Sequence, residues 1–291
     1  MTFPTAFRLP AVLAALALVA ACSTPPKQEV PPPRPVDPRY NEMVDGGEVI
    51  AAVDPGYLTD RTAMTKVPYM AADAPGSIVV DPYARYLYVV EPGNRATRYG
   101  IAVGREGYGF SGDAKVQQKK EWPRWTPTAN MIKREPDVYG PYAAGMVGGI
   151  DNPLGARALY LYQGGRDTHY RIHGTNNAST IGRATSAGCI RLYNQDAIDL
   201  YNRIDLGTYV HVRTLAESQV LEGDLVENAD GLMQPVSDFP PEVQDQIRAG
   251  QIPWPKFKVV IGVNATAPVM VPNAAGVIPP VPQSVLDGGN S

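Results

Sequence analysis

Residues 173–191 read HGTNNASTIGRATSAGCIR. His173 opens the stretch, Cys189 stands near its end, and small or polar residues fill most of the gap. Gly174 frees the backbone after the histidine, and Gly188 removes a side chain beside the thiol. A thiol of ordinary pKa is only a few per cent thiolate at neutral pH. A neighbouring imidazole raises that fraction and later returns the proton to a leaving group. The flanks say how the two residues are mounted. Upstream, HYRIHG alternates as a strand does, so His173 ends a strand. Downstream, Ala197, Ile198, Tyr201 and Ile204 share one helical face, with Asn194 as N-cap, Asp196 in the first turn and Gly207 as a stop. The positive end of that helix favours a thiolate just before it. The pairing alone leaves open a capped surface histidine beside a buried, inert cysteine. A zinc site needs more ligands at short spacing. His169 and His173 share a strand face about 13 Å apart, too far for one metal. His211, in the last strand, is a structural or exposed residue.

Working outward, SIVV and RYLYVV flank DPYA as a hairpin, and ATRYGIAVG adds a third β segment. ARALYLY and TYVHVRT read as further strands. Between them, residues 105–150 are rich in turns and aromatics, and Trp122, Trp125, Tyr139 and Tyr142 fall there. Such loops can form a lid over a site or simply pack on themselves. The run Gln117–Lys120 with Glu121 reads as a solvated turn. The fold class is mainly β, with one or two short helices, over residues 76–214.

The rest of the chain reads differently. Residues 1–22 end in LAALALVAAC, and the apolar run Ala11–Ala21 is shorter than the roughly 18–20 residues that span a bilayer. It fits a secretory leader, residues 1–21. The VAAC ending resembles the lipobox of bacterial lipoproteins, in which the cysteine, here Cys22, is lipidated. Ser23 after it implies the periplasmic face of the outer membrane. Residues 22–75 form a linker after the anchor, proline-dense to residue 38, where 16 extended residues reach about 50 Å at roughly 3.1 Å each. Residues 39–75 are weakly patterned, with a helical turn near Asn41–Val44. Residues 215–291 read as a proline-rich, largely irregular tail, apart from a short helix in PPEVQDQIRAG. The chain has two cysteines; with Cys22 acylated, Cys189 is an unpaired thiol in an oxidising compartment, which a catalytic use explains. A formal net charge of −3 without a basic patch argues against nucleic acid as a partner.

Several motifs then agree in order. HGTN, STIG and SAGCIRL resemble the signature of the L,D-transpeptidases, the YkuD-domain enzymes of bacterial cell walls. PRWTPTANMI, NPLGARALYL and SIVVDPYARYLYVV resemble further segments of that family, over about residues 76–214. The resemblance implies a YkuD-like β-sandwich without a cofactor, acting on peptidoglycan stem tetrapeptides and open to acylation by carbapenems. It implies Cys189 as nucleophile, His173 as general base and acid, the Gly174 carbonyl orienting the imidazole, and the Gly188 N–H as an oxyanion donor. Arg191 matches the motif arginine, which holds either a substrate carboxylate or a loop-fixing salt bridge. Ser186, Trp125 and Tyr142 join it as substrate-side residues, although Ser186 also suits a loop hydrogen bond. Many members carry SHGC where this chain has Ala187. The implied acceptor is an amine from a second stem or an envelope protein; water as acceptor gives a carboxypeptidase, and loss of chemistry gives a lipid-anchored wall tether.

Overall fold

The computed structural model of the chain describes residues 37–104, 110–186, 188–251, 257–261 and 269–270. The leader, Cys22, the linker as far as residue 36, Ala187 and the last twenty-one residues lie outside the described residues. The strands are β1 (Met43–Asp45), β2 (Glu48–Ile50), β3 (Thr65–Pro68), β4 (Ile78–Asp81), β5 (Tyr86–Glu91), β6 (Arg95–Gly100), β7 (Val103–Gly104), β8 (Gly112–Glu121), β9 (Arg157–Gln163), β10 (Arg166–His173), β11 (Ala184–Ser186), β12 (Ile190–Arg191), β13 (Tyr209–Val212), β14 (Leu225–Asn228), β15 (Met233–Pro235), β16 (Phe257–Ile261) and β17 (Val269–Met270). The helices are α1 (Ala129–Arg134), α2 (Pro136–Tyr139), α3 (Asn194–Arg203), α4 (Leu215–Glu222) and α5 (Pro241–Arg248).

Nine strands form one mixed sheet in the order β12-β10-β9-β8-β13-β4-β5-β6-β3. β13 lies parallel to β4 and antiparallel to β8, so it alone joins the two halves. The hairpin around DPYA closes with Asp81 opposite Tyr86. Alternation then does the sorting. Ile78, Val80, Leu87, Val89, Leu159, Leu161 and Ile172 turn to one face and meet Ala197 and Leu200 of α3, and Ile204 just after it, in the main core. Val79, Tyr86, Tyr88 and Val90 turn to the other face, where Leu225 and Met233 cover them. Each fully buried Leu or Ile contributes about 1.5–3 kcal/mol. Packing of this kind, rather than helix propensity, therefore holds α3 in place.

The mainly β class stands, and the structure departs from the sequence reading in four places. Gln117–Lys120 is not a turn but part of the ten-residue strand β8, which pairs with β13 over Gly112–Lys115 and with β9 from Lys115 onward. Only Ala114 and Val116 of β8 are buried, so its pattern is too polar to announce a strand. Lys119 is held by the Ile204 carbonyl at 2.5 Å and lies 4.3 Å from the Tyr201 ring centroid, and Lys120 lies near Tyr160. Second, residues 37–75 are folded rather than a linker. Asn41–Val44 runs into the hairpin β1–β2 instead of a helical turn, and β3 is an edge strand paired with β6. Tyr40, Ile50 and Val53 are buried. Third, residues 215–251 carry α4, β14, β15 and α5. The helix in PPEVQDQIRAG is α5, with Pro241 at its start, and α4 opens on a capping box between Thr214 and Glu217. Fourth, residues 76–214 hold three short α-helices rather than one or two, because α1 and α2 form inside the aromatic loops.

Candidate active site

His173 is the last residue of β10, and Ile190–Arg191 runs parallel to it as β12 on the sheet edge. Ile172 pairs with Ile190, and both enter the main core. His173 pairs with Arg191. Side chains alternate across a strand, so His173 and Arg191 emerge on the face away from the core, and Cys189, two positions before Arg191, emerges with them. The register of two short strands thus sets the two ends of the motif side by side at the sheet edge.

The imidazole is 4% exposed, and its Nδ1 lies 2.6 Å from the Gly174 carbonyl. A carbonyl only accepts, so Nδ1 carries the hydrogen and Nε2 keeps the lone pair. Burial pushes the His173 pKa down to about 3, and the Arg191 guanidinium adds to it. The Gly174 and Leu154 carbonyls pull the other way without winning. The resting imidazole is therefore neutral at neutral pH. Cys189 is partly exposed. Burial pushes its thiol up, and the Arg171 backbone N–H with the Arg171 and Arg191 charges opposes that push. The imidazole thus rests neutral and the thiol rests protonated.

Gly174 owes its place to Asn194. The Asn194 Oδ1 accepts from Ala156 N at 3.0 Å and Thr175 N at 3.1 Å. A Cβ at Gly174 would stand 2.2 Å from that oxygen, so only glycine fits. Asn194 is not the N-cap of α3; Tyr193 holds that position, and the Asn194 side chain is spent on stitching the end of β10 to the start of β9. Its helix-cap pattern hides this, because its partners come from elsewhere in the chain. Asp196 sits in the first turn of α3 and is buried; burial raises its pKa to about 8, although Tyr40 donates to it at 3.3 Å.

The remaining sequence candidates fall as follows. Ser186 Oγ donates to the Cys189 carbonyl at 2.6 Å and accepts from Gly188 N at 3.1 Å, so it ties the cysteine loop together. The Gly188 N–H assigned to an oxyanion therefore has a partner at rest. Gly188 holds φ at 133°, in the region that favours glycine. The Arg191 backbone exchanges hydrogen bonds with Ala102, both at 2.9 Å. Trp125 and Tyr142 meet each other, with ring centroids 5.9 Å apart and Tyr139 against the same indole, in a cluster of their own. Tyr142 is 41% exposed. His211 is structural: Nδ1 lies 2.8 Å from Asp113 and Nε2 3.3 Å from Glu217, which joins β13 to β8 and α4.

A family model described as the YkuD L,D-transpeptidase catalytic domain matches residues 75–212. A Bacillus licheniformis protein assigned by name as an L,D-transpeptidase, YkuD, is 38% identical over 177 residues, covering 59% of this chain and 81% of that protein. A Fuscovulum blasticum protein assigned by name as an L,D-transpeptidase is 42% identical over 103 residues, covering 35% of this chain and 49% of that protein. Among solved structures, a Brucella melitensis protein described as a carnitine operon oxidoreductase is 50% identical, covers 52% of this chain and 94% of that chain, and superposes with a TM-score of 0.38. The chain spans about half the length of several of the curated relatives it matches.

Proposed function

The chain belongs to the YkuD family of L,D-transpeptidase catalytic domains, and we propose that it is a cysteine-nucleophile acyltransferase acting on peptidoglycan stem tetrapeptides. The observation that supports the reading is the β10–β12 register, which pairs the carbonyl-anchored His173 with Arg191, two residues after Cys189. In the proposed cycle Nε2 of His173 takes the thiol proton as sulfur attacks the carbonyl of the stem residue before the terminal D-alanine. The C–N bond breaks, and D-alanine leaves with the proton that His173 returns. The thioester on Cys189 is then opened by an amine, whose proton passes back through His173 to sulfur. The Gly174 carbonyl stabilises the imidazolium in the place of a triad carboxylate. An oxyanion at this site competes with Ser186 Oγ for the Gly188 N–H, so the loop must yield a hydrogen bond as the tetrahedral centre forms. Arg191 supplies positive charge for a stem carboxylate.

The test is to incubate the folded protein with disaccharide-tetrapeptide and weigh the products. Crosslinked dimers with released D-alanine are expected. Tripeptide without dimers would move the assignment to a carboxypeptidase, and unchanged substrate would reject both. Export, acylation of Cys22 and residence on the periplasmic face of the outer membrane are part of the same proposal, and VAAC after an apolar run supports them. Cys22→Ala is expected to move the protein from the membrane pellet to the soluble fraction. Unchanged fractionation would remove the anchor.

A further inference from the structure

The register of the sheet sets its side chains in rows around His173. Lys120 of β8 stands opposite Ala158 of β9, Ala158 opposite His173 of β10, and His173 opposite Arg191 of β12. Residues directly opposite one another on neighbouring strands turn to the same face. The adjoining row agrees, because Leu159 and Ile172 are also opposite one another and both turn into the main core. Lys120, Ala158, His173 and Arg191 therefore form one row on the face away from that core. Between the lysine and the histidine the row holds only the methyl group of Ala158. At about 4.8 Å per strand, the Lys120 and His173 backbones are roughly 10 Å apart.

The next row on this face is Gln118, Tyr160 and Arg171. The Tyr160 ring meets a cation from each neighbouring strand. The Arg171 guanidinium lies 4.1 Å from the ring centroid and the Lys120 ammonium 5.2 Å from it. The two cations are not equivalent. Arg171 is neutralised by the Asp167 carboxylate, which takes both of its terminal nitrogens, at 2.7 and 2.8 Å. Lys120 is exposed, and among the described residues its ammonium meets the Tyr160 ring and no carboxylate. Its neighbour Glu121 lies 3.8 Å from Arg157 instead. The ring thus holds an unneutralised cation over the face on which His173 stands.

We propose that Lys120 is a specificity-determining residue whose ammonium receives a carboxylate of the acyl-donor stem, upstream of the carbonyl that the thiol attacks. An extended peptide advances about 3.3–3.6 Å per residue, so the distance along the row fits a carboxylate within about three residues of that carbonyl. Arg191 lies one strand to the other side of His173. The row therefore offers positive charge on both sides of the base and lays the stem across the strands. The inference rests on the acyl-transfer reading for the identity of the stem.

The experiment is the equilibrium binding of two soluble stems to the full chain carrying Cys189→Ala, which cannot turn them over, followed by NMR titration at low ionic strength. One stem is the disaccharide-tetrapeptide. The other is the same molecule with every carboxylate upstream of the terminal one converted to a carboxamide. The protein with Lys120 intact is expected to bind the first about fivefold more tightly, the upper range for one exposed ion pair, and to lose that preference as salt is raised. Adding Lys120→Met is expected to abolish the preference, Lys120→Glu to reverse it, and Lys120→Arg to keep it. Lys115→Met, on the same strand roughly 15 Å away, changes the net charge equally and is expected to keep it as well. Equal binding of the two stems with Lys120 intact would overturn the proposal, as would an undiminished preference in Lys120→Met and Lys120→Glu. Binding of neither stem would overturn both this assignment and the acyl-transfer reading. The expected binding pattern without transfer by the parent protein rejects the reaction and spares Lys120. Transfer with equal KM for both stems rejects only the role of Lys120.

Discussion

Cys189→Ala is expected to lose about 10⁴-fold or more of the transfer rate, and to lose every trace of a covalent acyl-enzyme, while its thermal melt stays within about 2 °C of the parent. The thiol is partly exposed and contributes little packing. A residual rate above one-hundredth of the parent would place the chemistry elsewhere. His173→Gln is expected to cost about 10²–10⁴-fold, the usual worth of a positioned base. The histidine also makes a prediction about pH. Its folded pKa is about 3, against an ordinary value of 6.5. The unfolded chain therefore takes a proton near pH 6.5 that the folded chain refuses until near pH 3, so the His173 contribution to stability is present above 6.5 and lost as pH falls through that window. Asp196 acts in the opposite sense. Its folded pKa of about 8 lies above its ordinary carboxylate value, so its contribution is lost as pH rises toward 8. The difference between parent and His173→Gln isolates the histidine. Urea midpoints at pH 7 and pH 5 are expected to move apart in the variant, with pH 5 the more stable, because the opposing Asp196 contribution then stands alone, and an equal difference in both proteins would contradict a buried, neutral imidazole. In catalysis the same burial keeps the base unprotonated, so the acidic limb of kcat/KM is expected well below pH 6.

The second large effect is structural. Arg213→Met is expected to destabilise the fold by about 3–5 kcal/mol, the cost of leaving a buried charge without its partner. Arg213 and Asp81 are both fully inside, 3.1 Å apart, and the same guanidinium reaches Glu222 at 2.8 Å and the Tyr69 hydroxyl at 3.1 Å. Asp81 also accepts from Tyr83 N, Ala84 N and Ser218 Oγ. Burial pushes the Asp81 carboxyl up, and the Ala84 N–H, the Arg213 charge and the Ser218 hydroxyl oppose that push, so losing the Arg213 charge is severe. A domain of this size loses roughly 2–4 °C of Tm per kcal/mol, so a fall on the order of 10 °C is expected in calorimetry. Adding Asp81→Asn should recover part of the loss, because the two residues share one network. A fall under 3 °C for Arg213→Met would show that the network is not structural.

How much of this was legible in the sequence depends on where each residue finds its partners. The DPYA hairpin and β9 announce themselves because short apolar and aromatic runs fill both of their faces, and β13 because its burial alternates. β8 does not, since its backbone is satisfied by two neighbours far away in the chain while most of its side chains stay wet. His173 and Cys189 were visible as chemistry and through their resemblance to a family. Their meeting depends on a parallel pairing of two residue pairs, which no local pattern encodes. Asn194 has the composition of a helix start and does something else. The folded segment 37–75 reads as linker in the sequence because few of its side chains are buried. It is held by partners elsewhere: Asp45 takes Arg157 through both carboxylate oxygens and Trp122 Nε1 at 2.9 Å, and the Ala51 carbonyl takes Gln195.

The central place of β13 sets the order in which the molecule can be assembled. The strand that joins both halves of the nine-stranded sheet is the last of the nine in the chain, and the Arg213–Asp81 contact beside it spans 132 residues. A ribosome or a secretion channel releases the amino-terminal half first, and that half holds β4, β5 and β6 with one flank of β4 bare. Closure waits until residue 212 has emerged, and it must then bridge a long stretch of chain, which makes it late and slow. A chain built this way stays open while it emerges and becomes rigid only after residue 212 is out.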